Sequence, residues 1–235
     1  FSAYHAQAAI PRMSSSEKRP FPVPRAMLTS GSSRSARQAF DVIIATDFRI
    51  GGHCLNHTIN EMHCYRRLGL SQAHFHLFAY DCDPLKSAYN DLLRFISPDD
   101  SNILVFGENA ECDLLVIRNP LVLEHHQRYV PIVQARDIRV VIDDLTSMQH
   151  GRNFAFSLER CAENIRTYFG KDAIWHTVDA VTRNAMTSFY ETQLQHIQLS
   201  GDIWPTIDRP ESTEVFLRKL QAIGALTTLN FQPHE

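Results

Sequence analysis

The stretch Phe40-Asp41-Val42-Ile43-Ile44-Ala45-Thr46-Asp47-Phe48-Arg49-Ile50-Gly51-Gly52-His53 decides the fold. Apart from Asp41, its first seven residues are β-branched or apolar on both parities, which predicts a short strand buried on both faces. Gly51-Gly52 then breaks the chain. Beyond the break Leu55, Ile59, Met62 and Leu68 recur at near-helical spacing up to Gly69, a residue suited to the left-handed position after a helix. Strand, glycine turn and helix in that order form the first half of a βαβ unit.

The same alternation continues outward. Ala73–Ala79 reads as a second strand, and Pro84 opens a helix carrying Leu85, Leu92, Leu93 and Phe95. Ile103–Phe106, Leu114–Ile117, Ile138–Ile142 and Ala173–His176 are further strand candidates. Helices are expected over about 157–169, stopped by Gly170, and over about 180–196 and 211–223, the last starting at Ser212 or the acidic residue before it. Strands alternating with helices predict a doubly wound α/β domain, with one parallel sheet and helices on both faces. That domain is expected over residues 39–235. Residues 1–38, with four prolines and two serine-rich stretches, are expected to form a flexible tail.

Composition narrows the function classes. Hydrophobic residues make up 44% and charged residues 21% of 235, enough for a substantial core. The net charge of -3 and the scatter of basic residues argue against nucleic acid as a partner. No apolar run approaches the ~20 residues of a membrane helix, and no signal sequence is visible. Five cysteines (Cys54, Cys64, Cys82, Cys112, Cys161) without a C-x-x-C pair suggest a reducing, cytoplasmic setting rather than a disulfide framework.

Ligands of open parallel sheets bind beyond the carboxyl ends of the strands. The loop from Asp47 and Arg49 to Gly51, Gly52 and His53 is therefore the leading candidate site. Paired glycines permit a tight turn and close backbone approach to a ligand. The following helix start offers free N–H groups to an anion. The loop matches neither common phosphate-binding glycine fingerprint, and a plain glycine-rich turn is the alternative.

At this loop the chain resembles the amino-terminal domain of bacterial glycosyltransferases of the GT-B fold, family 4-like, which pair two Rossmann-like domains. The resemblance begins with Asp41–Gly52. It continues in Asp113-Leu114-Leu115-Val116-Ile117-Arg118-Asn119-Pro120, then Arg139–Ile142, Cys161–Arg166, Phe169-Gly170 and Trp175-His176, spanning about 41–208. The resemblance implies transfer of a sugar from a nucleotide sugar to a hydroxyl acceptor, with neither metal nor cofactor. Gly51 and Gly52 would approach the donor phosphate, with Arg118 in the interdomain cleft and Asn119 beside it. No second βαβ series or donor-binding carboxylate motif follows before Glu235. The expectation is an acceptor-side domain, inactive without a donor domain, whose apolar docking face is covered by that domain or by a second copy in a homodimer. A non-catalytic ligand-binding or assembly module using the same loop is the alternative.

Other clusters have two readings each. His53 and His57, one turn apart, with Cys64 further on, could hold zinc or simply face solvent. Asp143-Asp144 could act as a base, bind a metal, hold sugar hydroxyls or cap a helix. His125-His126 could line the same rim or lie in an exposed loop. Trp175 is expected in the core and Trp204 at the surface, while Cys161 is expected to pack on an apolar helix face.

Overall fold

A computed structural model of the chain describes residues 37–80, 86–88, 92, 101–143, 156–207 and 213–226. Most of the expected tail, the helix after Pro84, Asp144 and Ser212 lie outside the described residues. Seven strands form one sheet in the order β3-β2-β1-β4-β5-β6-β7, and every neighbouring pair is parallel. They are β1 (Gln38–Thr46), β2 (Gln72–His76), β3 (Ser101–Ile103), β4 (Asn109–Arg118), β5 (Ile132–Ile142), β6 (Ile174–Thr177) and β7 (Gln198–Leu199). Among the described residues four α-helices accompany them: α1 (His53–Arg67), α2 (Leu158–Phe169), α3 (Ala180–Phe189) and α4 (Thr213–Ala222). The sequence expectation of a doubly wound, Rossmann-like α/β domain agrees with this architecture.

Alternation along the central strands explains the two-sided burial. Ile43 and Ala45 of β1 join Leu115, Ile117, Val140 and Trp175 in a core closed by Leu158, Cys161, Ile165 and Phe169 of α2. Val42 and Ile44 point the other way, into a second core with Leu114, Val116 and Val141. That core is closed by Met62 and Tyr65 of α1 and by Phe216 and Leu220 of α4. Each fully buried Val, Ile or Leu contributes about 1.5–3 kcal/mol, so the strand interiors carry much of the stability.

Helix ends follow local chemistry. At the end of α1 the Gly69 N–H donates to Arg66 O and the Leu70 N–H to Tyr65 O, both at 3.0 Å, with Gly69 at φ 70°. This pairing satisfies the last carbonyls and needs a left-handed residue at Gly69. Ser157 caps α2 and Gly170 ends it at φ 73°, as its sequence predicts.

Three expectations are corrected. The helix expected over 180–196 ends at Phe189. Beyond it Tyr190 drops into the core with its hydroxyl donating to Phe156 O at 3.2 Å, and Gln193 Oε1 accepts from the Leu158 N–H at 3.0 Å. Tertiary demands at the start of α2 thus outweigh local helix propensity, and a 3₁₀ turn and β7 follow. The strand expected over Ile103–Phe106 stops at Ile103, because the Glu108 carboxylate accepts from the Val105 N–H and turns the chain through Gly107 at φ 89°. Trp204, expected at the surface, is 0% exposed. Its indole N–H donates to Glu61 Oε2 at 3.3 Å and its ring lies 5.4 Å from that of His176.

Candidate functional site

The strand order reverses its direction of growth between β1 and β4, since β2 and β3 add on one side of β1 and β5 to β7 on the other side of β4. The loops leaving these two strands therefore diverge to opposite faces and open a crevice between them. A pocket of about 160 Å³ occupies that position, lined by Ile50, Gly51, Gly52, His53, Cys54, Asn119, Pro120 and Asp143. The structure thus brings together Gly51, Gly52, His53, Asn119 and Asp143, five of the residues singled out in the sequence.

Gly52 is the N-cap of α1 at φ 75° and ψ −148°, a region essentially confined to glycine. A Cβ built there would meet nothing within 4 Å, so conformation, not crowding, dictates glycine. No side chain caps this helix and no acidic residue sits in its first turn. The first helical bond runs from the Asn56 N–H to Gly52 O, and Gly52, His53 and Cys54, which precede Asn56, line the crevice. Such a terminus favours an anion. Across the pocket Asn119 adopts φ 66°, the one positive φ among described non-glycine residues. Its Oδ1 accepts from the Leu121 N–H at 3.1 Å and starts a 3₁₀ turn at Pro120.

Asp47 and Arg49 hold the loop from within. The Asp47 carboxylate accepts from Arg49 Nε at 2.9 Å, Arg49 Nη2 at 2.5 Å and the Ala79 N–H at 2.8 Å. Burial pushes its pKa up, but the Arg49 and Ala79 hydrogen bonds prevail and hold it below the usual range. Arg49 also donates to Ala79 O and lies over the Phe78 ring. Both residues are buried, and neither lines the pocket; they clamp the β1 loop to Ala79, in the segment that leaves β2.

Arg118 is likewise internal. Its side chain is 0% exposed, donates to Asp143 Oδ1 at 2.5 Å and forms a buried ion pair with Glu61. It does not present a guanidinium to the cleft; it reaches the pocket through Asp143. Glu61 in turn accepts from the Tyr65 hydroxyl at 2.5 Å and from Trp204. Glu61 was missed in the sequence, yet a signal was present. It stands one turn from Thr58 and from Tyr65, as a charged residue inside the buried stripe of α1, and such a residue needs an internal partner.

Asp143 joins this network to the pocket. Its Oδ1 meets both Arg118 and His57 Nδ1, the latter at 2.9 Å, while Oδ2 is buried with no hydrogen-bond partner. Burial raises its pKa, but the Arg118 charge and the His57 and Arg118 hydrogen bonds outweigh this and keep it ionised. The neighbouring Cys54 thiol is pushed well up by burial and then by the Asp143 charge, so it stays protonated and is a poor nucleophile.

The remaining clusters disperse. Cys64 packs in the second core with its Sγ 3.4 Å from the Thr213 hydroxyl, away from His53 and His57. Among the described residues no three His, Cys, Asp or Glu side chains converge as metal ligands. The four described cysteines are free thiols. His125 packs edge-on against Tyr80, and His126 contacts Asn164 and Tyr168; neither lines the pocket. Among the described residues no helix is long and apolar enough to cross a membrane. Compared with protein-family models, curated proteins and solved structures, the chain matches none.

Proposed function

We propose that the chain is the acceptor-side half of a glycosyltransferase that moves a sugar from a nucleotide sugar to a hydroxyl acceptor. The observation that carries this reading is the pocket at the crevice between β1 and β4, where Gly51, Gly52 and the uncapped start of α1 face Asp143. One wall suits a phosphate group, through backbone N–H groups and the helix dipole. The other wall is formed by Asn119 and Pro120, backed by the buried Asp143 carboxylate, and offers an amide group to sugar hydroxyls. The exposed rings of Phe78 and Tyr80 stand just beyond β2, at the same edge of the sheet, and offer apolar faces to a sugar or a docking domain. The resemblance of Asp41–Gly52 and Asp113–Pro120 to the GT-B amino-terminal domain supports the same assignment. In that arrangement the half described here contributes only part of the donor site.

The test is a titration of the full chain with UDP, GDP and UDP-glucose, followed by backbone amide NMR. Binding near 1 mM, about −4 kcal/mol, with shifts confined to the Gly51–Cys54 amides and lost in Gly52→Val, is the expected result. Silence at those amides would overturn the reading. Micromolar binding would instead favour a self-sufficient ligand-binding module.

A further inference from the structure

His53, Asn56, His57, Ile59, Asn60 and Ile207 line a second groove of about 280 Å³, which shares His53 with the crevice pocket. It is a polar cleft along the first two turns of α1. Within it His57 is the one residue tied to the buried network, because its Nδ1 lies 2.9 Å from Asp143 Oδ1. The Asp143 carboxylate is ionised and accepts only, so the proton of this bond resides on Nδ1. In neutral His57 the lone pair then sits on Nε2, at the ring edge turned away from Asp143.

Three further features favour a working role for this pair. Asp143 is fixed by Arg118, whose other end is fixed by Glu61, so the orienting carboxylate cannot swing. The His57 side chain retains 18% exposure, against 3% for Asp143, which leaves the imidazole as the reachable member. The cluster behind the ring holds two buried carboxylates, Glu61 and Asp143, against the single guanidinium of Arg118. A carboxylate-oriented imidazole with one open nitrogen is the arrangement that proton-accepting histidines use.

We propose that His57 is the proton acceptor of a hydroxyl-bearing ligand, a sugar or comparable polyol, bound in the groove beside His53 and Asn56. The proposal rests on the glycosyltransferase reading for its ligand class and places the acceptor hydroxyl on the outer side of α1. The ligand O–H donates to Nε2. As the hydroxyl reacts, its O–H bond breaks, an N–H bond forms on Nε2, and the oxygen keeps the electron pair. The resulting imidazolium is stabilised by Asp143. The charged and titratable groups around the ring are Asp143, with Arg118 behind it, Cys54 beside the carboxylate, and His53 at a ring separation of 6.3 Å.

The experiment is long-range ¹H–¹⁵N NMR on the full chain labelled at histidine, at a pH where the imidazoles are neutral. His57 is expected in the Nδ1–H form, opposite to the form favoured by a free histidine side chain. Its Nε2 resonance should move on titration with methyl α-glucoside. His57→Gln, whose amide can still donate to Asp143, should melt with the wild type and bind the glucoside about fivefold more weakly. An Nε2–H form for His57, an immobile Nε2 resonance, or unchanged glucoside affinity in His57→Gln would each overturn the proposal. Nucleotide binding is read separately at the Gly51–Cys54 amides, so failure of the donor reading and failure of the His57 assignment remain distinct.

Discussion

Removing the Arg118 guanidinium should both destabilise the fold and reverse the sign of its response to acid. Arg118, Glu61 and Asp143 have side chains 0%, 1% and 3% exposed, and Arg118 is the cation that both carboxylates meet. Arg118→Met preserves length and apolar packing but strands two buried carboxylates. Breaking such a pair by deleting one partner costs about 3–5 kcal/mol, or roughly 6–20 °C in Tm for a domain of this size. In the wild type Asp143 is held below the ordinary carboxylate range. Its contribution is therefore complete above about pH 4, where the unfolded carboxyl titrates, and is lost only as pH falls through the lower native value. In Arg118→Met the burial of Asp143 is opposed only by its His57 hydrogen bond and lifts the native pKa above the unfolded one. The folded variant then takes up protons first, and its stability rises as pH falls. Urea denaturation at pH 7.5 and pH 5 measures this directly. The gap to wild type should narrow at pH 5 by up to about 1.4 kcal/mol per pH unit for each carboxyl protonated. A cost below about 1 kcal/mol, or an equal cost at both pH values, would refute the reasoning.

Gly52→Ala should cost about 1–3 kcal/mol by denaturant unfolding, because the strain lies in φ 75° and ψ −148° rather than in a clash; a neutral result would mean that the loop relaxes freely. Thiol titration with a disulfide reagent at pH 8 should find Cys112, pushed up to about 12 chiefly by burial, and the buried Cys161 unreactive in the native chain. Both should react promptly in denaturant, and fast native labelling of either would contradict its placement in the core.

The legible parts of this molecule are those whose signals are local. β1 announces itself because a strand buried on both faces must be apolar at consecutive positions, as Val42-Ile43-Ile44-Ala45 is. The end of α2 is equally plain, since Gly170 supplies the left-handed residue that stops a helix. The crevice loop was found by the same logic, from glycines placed between a strand and a helix. What stayed hidden depends on partners far along the chain. Glu61 meets Arg118 57 residues away and Trp204 143 residues away, so neither the burial of Trp204 nor the internal role of Arg118 can be read from neighbours. The exit of Tyr190 from α3 is similar, being set by Phe156 and by the cap of α2. A resemblance placed Arg118 at the cleft, whereas its packing places it one residue behind, beneath Asp143.

The clamp formed by Asp47 and Arg49 sets how this crevice can work. The loop bearing Gly51 and Gly52 is anchored to Ala79 through both the N–H and the carbonyl of that residue. A flap motion would have to break both charge-assisted hydrogen bonds to Ala79 before it moved at all. The loop therefore behaves as a fixed socket, in place before any ligand arrives. Binding is spared the ordering of each otherwise mobile side chain, about 0.5–1.5 kcal/mol apiece. Whatever closes over an occupant must come from outside the socket, and selectivity at this wall is a matter of fit to a shape that does not yield.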